Sequence, residues 1–192
     1  MGPIEILWAT VLTFFVFIAL VRGYHKELGV TIVLLATLWV LKQAEVIVVK
    51  KPTTGLYGSM YLALSKNNPL HANLIPESNA LKMYLFLGVL VLIVLASYRG
   101  RTISLGGTPT KGHARSLLDI AVGAVNGYLF AGTAWYYMAL FGYPFPKWMH
   151  VDMSRTTHLA QVIVSQYLPP TLLDDKIIIA AVVLLVILGV RK

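Results

Sequence analysis

The sequence predicts an all-α protein: a polytopic transmembrane bundle of four or five spans with one interfacial amphipathic helix. Three observations lead to this fold class. Hydrophobic residues make up 57% of the chain, and charged residues only 12%, whereas a soluble domain usually carries about 25%. The mean hydropathy is +0.73, and the apolar residues gather in long runs. A chain of 192 residues suffices for one bundle, so we expect residues 1–192 to form a single membrane domain.

The first two predicted spans cover residues 4–21 and 28–49. A membrane-spanning helix needs about 20 apolar residues, and the first run is nearly uninterrupted up to Arg22. Near the end of the second run, Lys42 and Glu45 lie three residues apart. An ion pair, or side chains that extend to the headgroups, would place both charges at the interface. If the helix continues to the end of the run, they lie deeper and a functional role gains support.

Three further spans are predicted at residues 82–97, 117–141 and 171–190. The fourth span is long, whereas the third and the last are shorter and need tilt or bundle packing to cross a bilayer. Between the second and third spans, residues 53–65 contain an apolar stretch that is too short to cross. This stretch indicates a re-entrant or interfacial helix.

An amphipathic helix is predicted over residues 154–168. Apolar side chains recur there at three- and four-residue spacing, from Leu159 to Tyr167, and polar side chains occupy the other side. Such a helix can lie in the headgroup plane, and the prolines at 169 and 170 end it. Nearby aromatic residues suit the aromatic belt of the same membrane surface: Tyr136, Tyr137, Tyr143 and Trp148.

The net charge of +8 favours contact with anionic headgroups. Nucleic-acid binding would require a basic stripe on a soluble domain, and the sequence contains none. If every run spans, segments 22–27, 98–116 and 191–192 lie on one side of the membrane. Their basic residues, close to the helix ends, predict that this side is cytoplasmic and that the N-terminus is outside. We therefore expect a multi-pass protein of the cell inner (plasma) membrane, in contact with the lipid bilayer.

Small residues line one face of the fourth span. Gly123, Gly127 and Ala131 recur every four residues, with Asp119 one turn earlier. Because glycine has no Cβ, a second helix can approach closely and gain dispersion contacts. The pattern predicts packing inside the bundle or between protomers, and the alternative is the wall of a pore or ligand site.

Two polar residues on the fourth span need partners. Asn126 lies in the middle third, where an amide in hydrocarbon must be hydrogen-bonded, so we expect it to join two helices. A substrate contact is the alternative. Asp119 follows Ser116 at capping-box spacing, which predicts that it satisfies N–H groups at the helix start. A proton relay through Asp119 is the competing interpretation.

No catalytic, metal or cofactor site is predicted. The chain has no cysteine, which excludes disulfides, thiol nucleophiles and covalent haem attachment. None of the five histidines falls within an apolar run, so an intramembrane haem is not expected. His150, at the membrane edge, is the best-placed candidate for a chlorophyll-type magnesium. Residues 106–112 lack the Gly-Lys-Ser/Thr ending of a phosphate loop.

Two motifs occur in the order and spacing of a known family. Arg22-Gly23-Tyr24-His25-Lys26-Glu27, directly after the first span, looks like an Arg-Gly-aromatic-x-x-Glu signature. Residues 118–127 are similar to Asp-Arg-x-x-Gly-x-x-x-Gly, although Ile120 stands where the arginine is expected. Over residues 4–141 the chain thus resembles the CvpA family (colicin V production proteins).

This resemblance implies an inner-membrane protein tied to export and envelope homeostasis, without a cofactor or a catalytic residue. A tight turn at Gly23 would join the first two spans as a hairpin. Arg22 would then lie at the anionic leaflet, and Glu27 would pair with Arg22 or cap the second helix. The segment 50–82 is long, and the helix after Pro170 is an addition to the family's four-helix core.

From these patterns we expect a non-enzymatic integral membrane scaffold or accessory protein. Its partners would be other membrane-protein subunits or further copies of itself, met as it docks on or oligomerises within a larger assembly. Two alternatives belong to other classes. One is a small channel or transporter component, and the other is a pigment- or quinone-binding subunit of an electron-transfer complex.

Overall fold

The structure, a computed structural model, describes residues 3–46, 75–99, 113–143 and 157–190. In these ranges every regular element is a helix, which confirms the predicted all-α fold. We number the helices in chain order: α1 (Pro3–Arg22), α2 (Tyr24–Glu45), α3 (Ile75–Arg99), α4 (His113–Leu140), α5 (His158–Val162), α6 (Pro169–Leu172) and α7 (Asp175–Val190).

Four of these helices are long and apolar enough to cross a membrane. The segments are Glu5–Arg22, Tyr24–Glu45, Asn79–Arg99 and His113–Leu140. The last predicted span gives a shorter helix: α7 has 16 residues, or about 24 Å at 1.5 Å per residue, against a hydrocarbon core of about 30 Å. The described part of the chain thus has the features of a polytopic membrane protein, with four spans and one shorter apolar helix.

Helices α2 and α4 form the centre of the bundle. α1 packs along α4, α3 and α7 pack against α2, and α4 also contacts α2 and α3. The outer faces of α1 and α3 expose large apolar side chains, which suits surfaces in contact with acyl chains. Together with α3, the central helices form an apolar core that includes five side chains at most 4% exposed: Leu34, Leu38, Phe86, Leu90 and Leu129.

Three helices begin earlier than the apolar runs indicate. α2 starts at Tyr24 instead of residue 28, α3 at Ile75 instead of 82, and α4 at His113 instead of 117. Hydropathy marks only the apolar part of a helix, so polar first turns escape it. The possible extension of α2 over 47–49 and the predicted helix at 53–65 lie outside the described residues.

The predicted amphipathic helix is present in the described part of its range. α5 is followed directly by a π-helical turn, Ile163–Tyr167. The start of α5 is tied to α1, because the backbone N–H and the hydroxyl of Thr157 both donate to Glu5 Oε1, at 2.9 and 2.7 Å. Residues 154–156, like Trp148 and His150, lie outside the described residues.

The end of this segment enters the bundle. Pro169 lies against Gly132 of α4, and a Cβ added to the glycine would be 2.5 Å from the proline Cδ. Gly132 lies well inside α4, about 12 Å before Leu140 at 1.5 Å per residue. The chain that follows the predicted amphipathic segment therefore packs directly on α4, about two turns before the end of that helix. Gly132 makes this possible, because it leaves room for the proline ring.

Helices α6 and α7 are separate elements, although residues 171–190 are predicted as one span. Leu173, between them, has an extended backbone with φ −97° and ψ 106°. Its carbonyl accepts a hydrogen bond of 2.7 Å from Lys42 Nζ. The chain therefore turns beside the end of α2, and α7 starts from there.

Candidate functional site: a polar junction of four helices

The two sequence motifs meet at the start of α2. Gly23 has φ 85° and ψ 145°, a conformation that L side chains rarely adopt, and this turn lets α2 begin directly after α1. The backbone N–H of Tyr24 donates a 2.6 Å hydrogen bond to Asp119 Oδ1, although the two residues are 95 positions apart. Asp119 thus caps the first turn of α2, where a carboxylate also complements the helix dipole.

Asp119 does not form the predicted capping box with Ser116 at the start of α4. Because α4 already begins at His113, Ser116 and Asp119 lie inside the helix and not at its start. The carboxylate points to another helix instead, and it is 4% exposed. Arg115, one turn earlier, places its Nε 3.8 Å from Asp119 Oδ2, and this half-exposed pair is a weak one.

Glu27 is the centre of the junction and is fully buried. Its Oε1 accepts a 3.1 Å bond from Arg22 Nη1, which is one of the two roles expected of this residue. Its Oε2 accepts bonds from the Tyr98 hydroxyl, at 2.9 Å, and from Asn126 Nδ2, at 3.1 Å. One carboxylate therefore joins α1, α2, α3 and α4.

Asn126 joins α4 to α2, as an amide in hydrocarbon requires. Its Nδ2 also donates to the backbone carbonyl of Glu27, at 3.1 Å. Its Oδ1 accepts a 2.7 Å bond from the Thr31 hydroxyl. The side chain is fully buried, and donor and acceptor are both used, so the described contacts satisfy it without a ligand.

Arg22 closes the outer side of the junction. Its guanidinium carbon lies 4.6 Å from the centroid of the Tyr98 ring, which is cation–π geometry. The side chain is 23% exposed, so it lies between the buried carboxylate and the surroundings of the bundle. A charge that is paired and hydrogen-bonded in this way can remain inside a membrane protein.

The glycine face of α4 is used within the chain. A Cβ added to Gly123 would lie 2.7 Å from Ala19 Cβ and 2.8 Å from Val16 Cα, and one added to Gly127 would lie 2.8 Å from Leu12 Cα. α1 therefore crosses α4 at backbone contact. Of the two packing arrangements that the sequence left open, the structure shows the one inside the bundle. Ala131, 6% exposed, continues this face.

A second polar cluster lies at the other end of α2. Lys42 and Glu45, which the sequence paired with each other, have different partners. Lys42 Nζ lies 3.1 Å from Asp175 Oδ1 and donates to a carbonyl of the α6–α7 turn. The Glu45 carboxylate accepts from the Tyr136 hydroxyl, at 3.2 Å to each oxygen. Both partner side chains, Asp175 and Tyr136, come from helices distant in sequence.

A largely apolar layer separates the two polar clusters. Leu34 and Leu38 of α2 and Leu129 of α4 lie between them along the helices and are at most 4% exposed, and two threonines, Thr37 and Thr133, are buried in the same stretch. In the described ranges, no group of three histidine or acidic side chains is arranged to hold a metal ion. The polar side chains of the junction serve to hold helices together.

Two members of the junction were not singled out from the sequence. Thr31 is an ordinary polar residue in an apolar run, and its spacing of four from Glu27 is the only local signal. Tyr98 precedes Arg99 at the end of α3 and looks like an interfacial aromatic. Their roles depend on residues 71 and 95 positions away, which local patterns do not reveal.

No family profile, curated protein sequence or solved structure matches this chain. The junction is therefore interpreted from its own geometry.

Replacing Asp119 by alanine is expected to lower the free energy of unfolding by about 1 kcal/mol, the usual cost of losing a helix cap. Asp119→Asn keeps an acceptor oxygen and should cost less. SDS titration of the purified protein in mixed micelles measures both. Arg115→Ala is the control and should change little, since the pair is long and half exposed. Equal losses for Asp119→Ala and Arg115→Ala would contradict the capping role.

Proposed function

We propose that this chain is a non-enzymatic membrane scaffold or accessory protein that docks on, or oligomerises within, a larger membrane assembly. The proposal rests on one observation: the polar and small residues of the junction are engaged in contacts between helices of the same chain. Glu27, Asn126 and Asp119 are occupied by contacts between helices, and Gly123 and Gly127 are occupied by α1. In the part of the chain that the structure describes, the outer faces of the long helices are mainly apolar, and these faces are available to other molecules.

Helix α7 offers the most suitable surface for a partner. It packs against α2 along one side, where Ile178 is 1% exposed. Its opposite side exposes about half of each large aliphatic residue, including Ile179, Val183 and Ile187. At about 24 Å it is shorter than the hydrocarbon core, and mismatch of this kind favours association with other helices.

A relationship to the CvpA family is part of the proposal. The supporting observation is that the two motifs that carry the resemblance are adjacent in space. Asp119 of the second motif caps α2, the helix that begins within the first motif. Arg22 and Glu27, both in the first motif, form an ion pair. We likewise propose the inner membrane as the location, from the basic residues near the helix ends.

The channel alternative has less support, because the apolar layer of α2 and α4 lies between the two polar clusters. Ion flux through proteoliposomes of the purified protein, lost in Asn126→Leu, would favour that alternative over a scaffold.

Photocrosslinking in living cells tests the scaffold function. The photoreactive residue p-benzoylphenylalanine is placed at Val183, on the exposed side of α7. A matched control carries it at Phe17, which is 63% exposed on α1. We expect a discrete protein adduct from Val183 and not from Phe17. No adduct at Val183, or the same adducts from both positions, would contradict docking through α7.

A further inference from the structure

A cleft of about 520 Å³ lies where the end of α2 meets the α6–α7 turn. This volume falls within the range of small-molecule sites. The cleft lies at the end of the bundle opposite to the polar junction, and the proposed scaffold function does not use it. Both charged and apolar residues line it, namely Lys42, Gln43, Glu45, Val46, Tyr136, Pro170, Asp174, Asp175 and Lys176.

Two of the charges in the cleft neutralise each other. Lys42 Nζ lies 3.1 Å from Asp175 Oδ1, and Gln43 Nε2 donates to Asp175 Oδ2 at 3.0 Å. Lys42 also donates to the carbonyl of Leu173 at 2.7 Å. The ammonium group of Lys42 is thus bound to Asp175 and to the backbone of the α6–α7 turn.

Two further charges are exposed on the rim of the cleft. Asp174 and Lys176 are opposite in sign and close in sequence. They contribute little net charge to the interior of the cleft. Screening by solvent weakens them further.

Glu45 places a buried carboxyl group in the cleft with no described counter-charge. Its residue is 7% exposed, and no Lys, Arg or His of the described ranges forms an ion pair with it. The hydrogen-bond donor at its carboxylate is the neutral Tyr136 hydroxyl, at 3.2 Å. A buried carboxylate in this position is stabilised by a cation from outside.

We propose that this cleft binds a small organic ammonium ion, with Glu45 as its counter-ion and the Tyr136 ring as a cation–π surface. A carboxylate and an aromatic ring together form a typical ammonium site. The described residues do not supply the three or more ligating side chains that a tightly held metal ion uses. The volume is also larger than a bare ion needs.

Calorimetric titration of the full chain in detergent micelles with tetramethylammonium chloride tests the proposal. We expect saturable binding that Glu45→Gln weakens by at least about tenfold, because the variant keeps the shape but removes the charge. Asp174→Asn, the same change on the exposed rim, should weaken binding far less. Sodium and magnesium chloride at equal ionic strength should give no saturable heat.

Thermal unfolding supplies a second readout. Bound tetramethylammonium should raise the Tm of the wild-type chain, since a ligand of the folded state stabilises it. The same concentration of this salt should raise the Tm of Glu45→Gln much less. Absence of binding to the wild-type chain, equal binding by Glu45→Gln, or an equal response to sodium or magnesium would each overturn the proposal.

Discussion

Replacing Gly127 by leucine is expected to disrupt the bundle, with a loss of at least about 3 kcal/mol in the free energy of unfolding. A Cβ at this position would already lie 2.8 Å from Leu12 Cα and 3.0 Å from the Leu12 carbonyl oxygen. These are backbone atoms, so the strain is relieved only if α1 moves away from α4. That movement would also separate Gly123 from Val16. SDS titration in mixed micelles, followed by tryptophan fluorescence, measures the loss.

The chain offers a matched control for this experiment. Gly88 lies in α3, where an added Cβ would meet nothing within 4 Å. Gly127→Ala should lower stability by about 1–3 kcal/mol, whereas Gly88→Ala should leave it unchanged or raise it, since alanine is the better helix former. Equal effects of the two alanine substitutions would contradict a close crossing of α1 and α4.

Replacing Glu27 by alanine is expected to cost about 3–5 kcal/mol, the range for removing one partner of a buried charged pair. The substitution leaves the Arg22 guanidinium, the Tyr98 hydroxyl and the Asn126 amide without their common acceptor. A buried polar group that loses its partner costs the full free energy of its desolvation. The free energy of unfolding, measured as for Gly127, gives the cost.

Two further variants separate the charge of Glu27 from its hydrogen bonds. Glu27→Gln keeps an acceptor and should lose less than Glu27→Ala. Arg22→Ala leaves a buried carboxylate without its cation and should also be strongly destabilising. Asp174→Asn, at an exposed position just before α7, serves as the control for a change of acidic charge. A loss at Glu27 no greater than at Asp174 would contradict a structural junction.

The spans could be predicted from the sequence because lipid imposes a simple requirement. A helix that crosses hydrocarbon needs a long apolar run, and four such runs form helices long and apolar enough to cross a membrane. The helix starts were less accurate, because polar first turns are stabilised by contacts that hydropathy ignores. Tyr24 shows this, since its N–H is satisfied by Asp119 on another helix. The break at Leu173 depends in the same way on Lys42 of α2.

Parts of the site were also accessible from the sequence. The glycine spacing identified the face of α4 that contacts another helix, and the turn at Gly23 was expected from its motif. The sequence did not predict that α1 is the contacting helix, because several spans could have fitted the same small-residue face. For Glu27, the pairing with Arg22 was local and could be expected. Its burial could not, because it results from Tyr98 and Asn126.

A double-mutant cycle between Glu27 and Asn126 is the most direct measurement, because these residues represent the two motifs. Glu27→Ala, Asn126→Ala and the double variant are unfolded in the same micelles, and the coupling free energy is calculated. The direct bond of 3.1 Å between the two side chains predicts a coupling of about 1 kcal/mol or more. Additive losses, within about 0.5 kcal/mol, would contradict the claim that the two motifs form one junction.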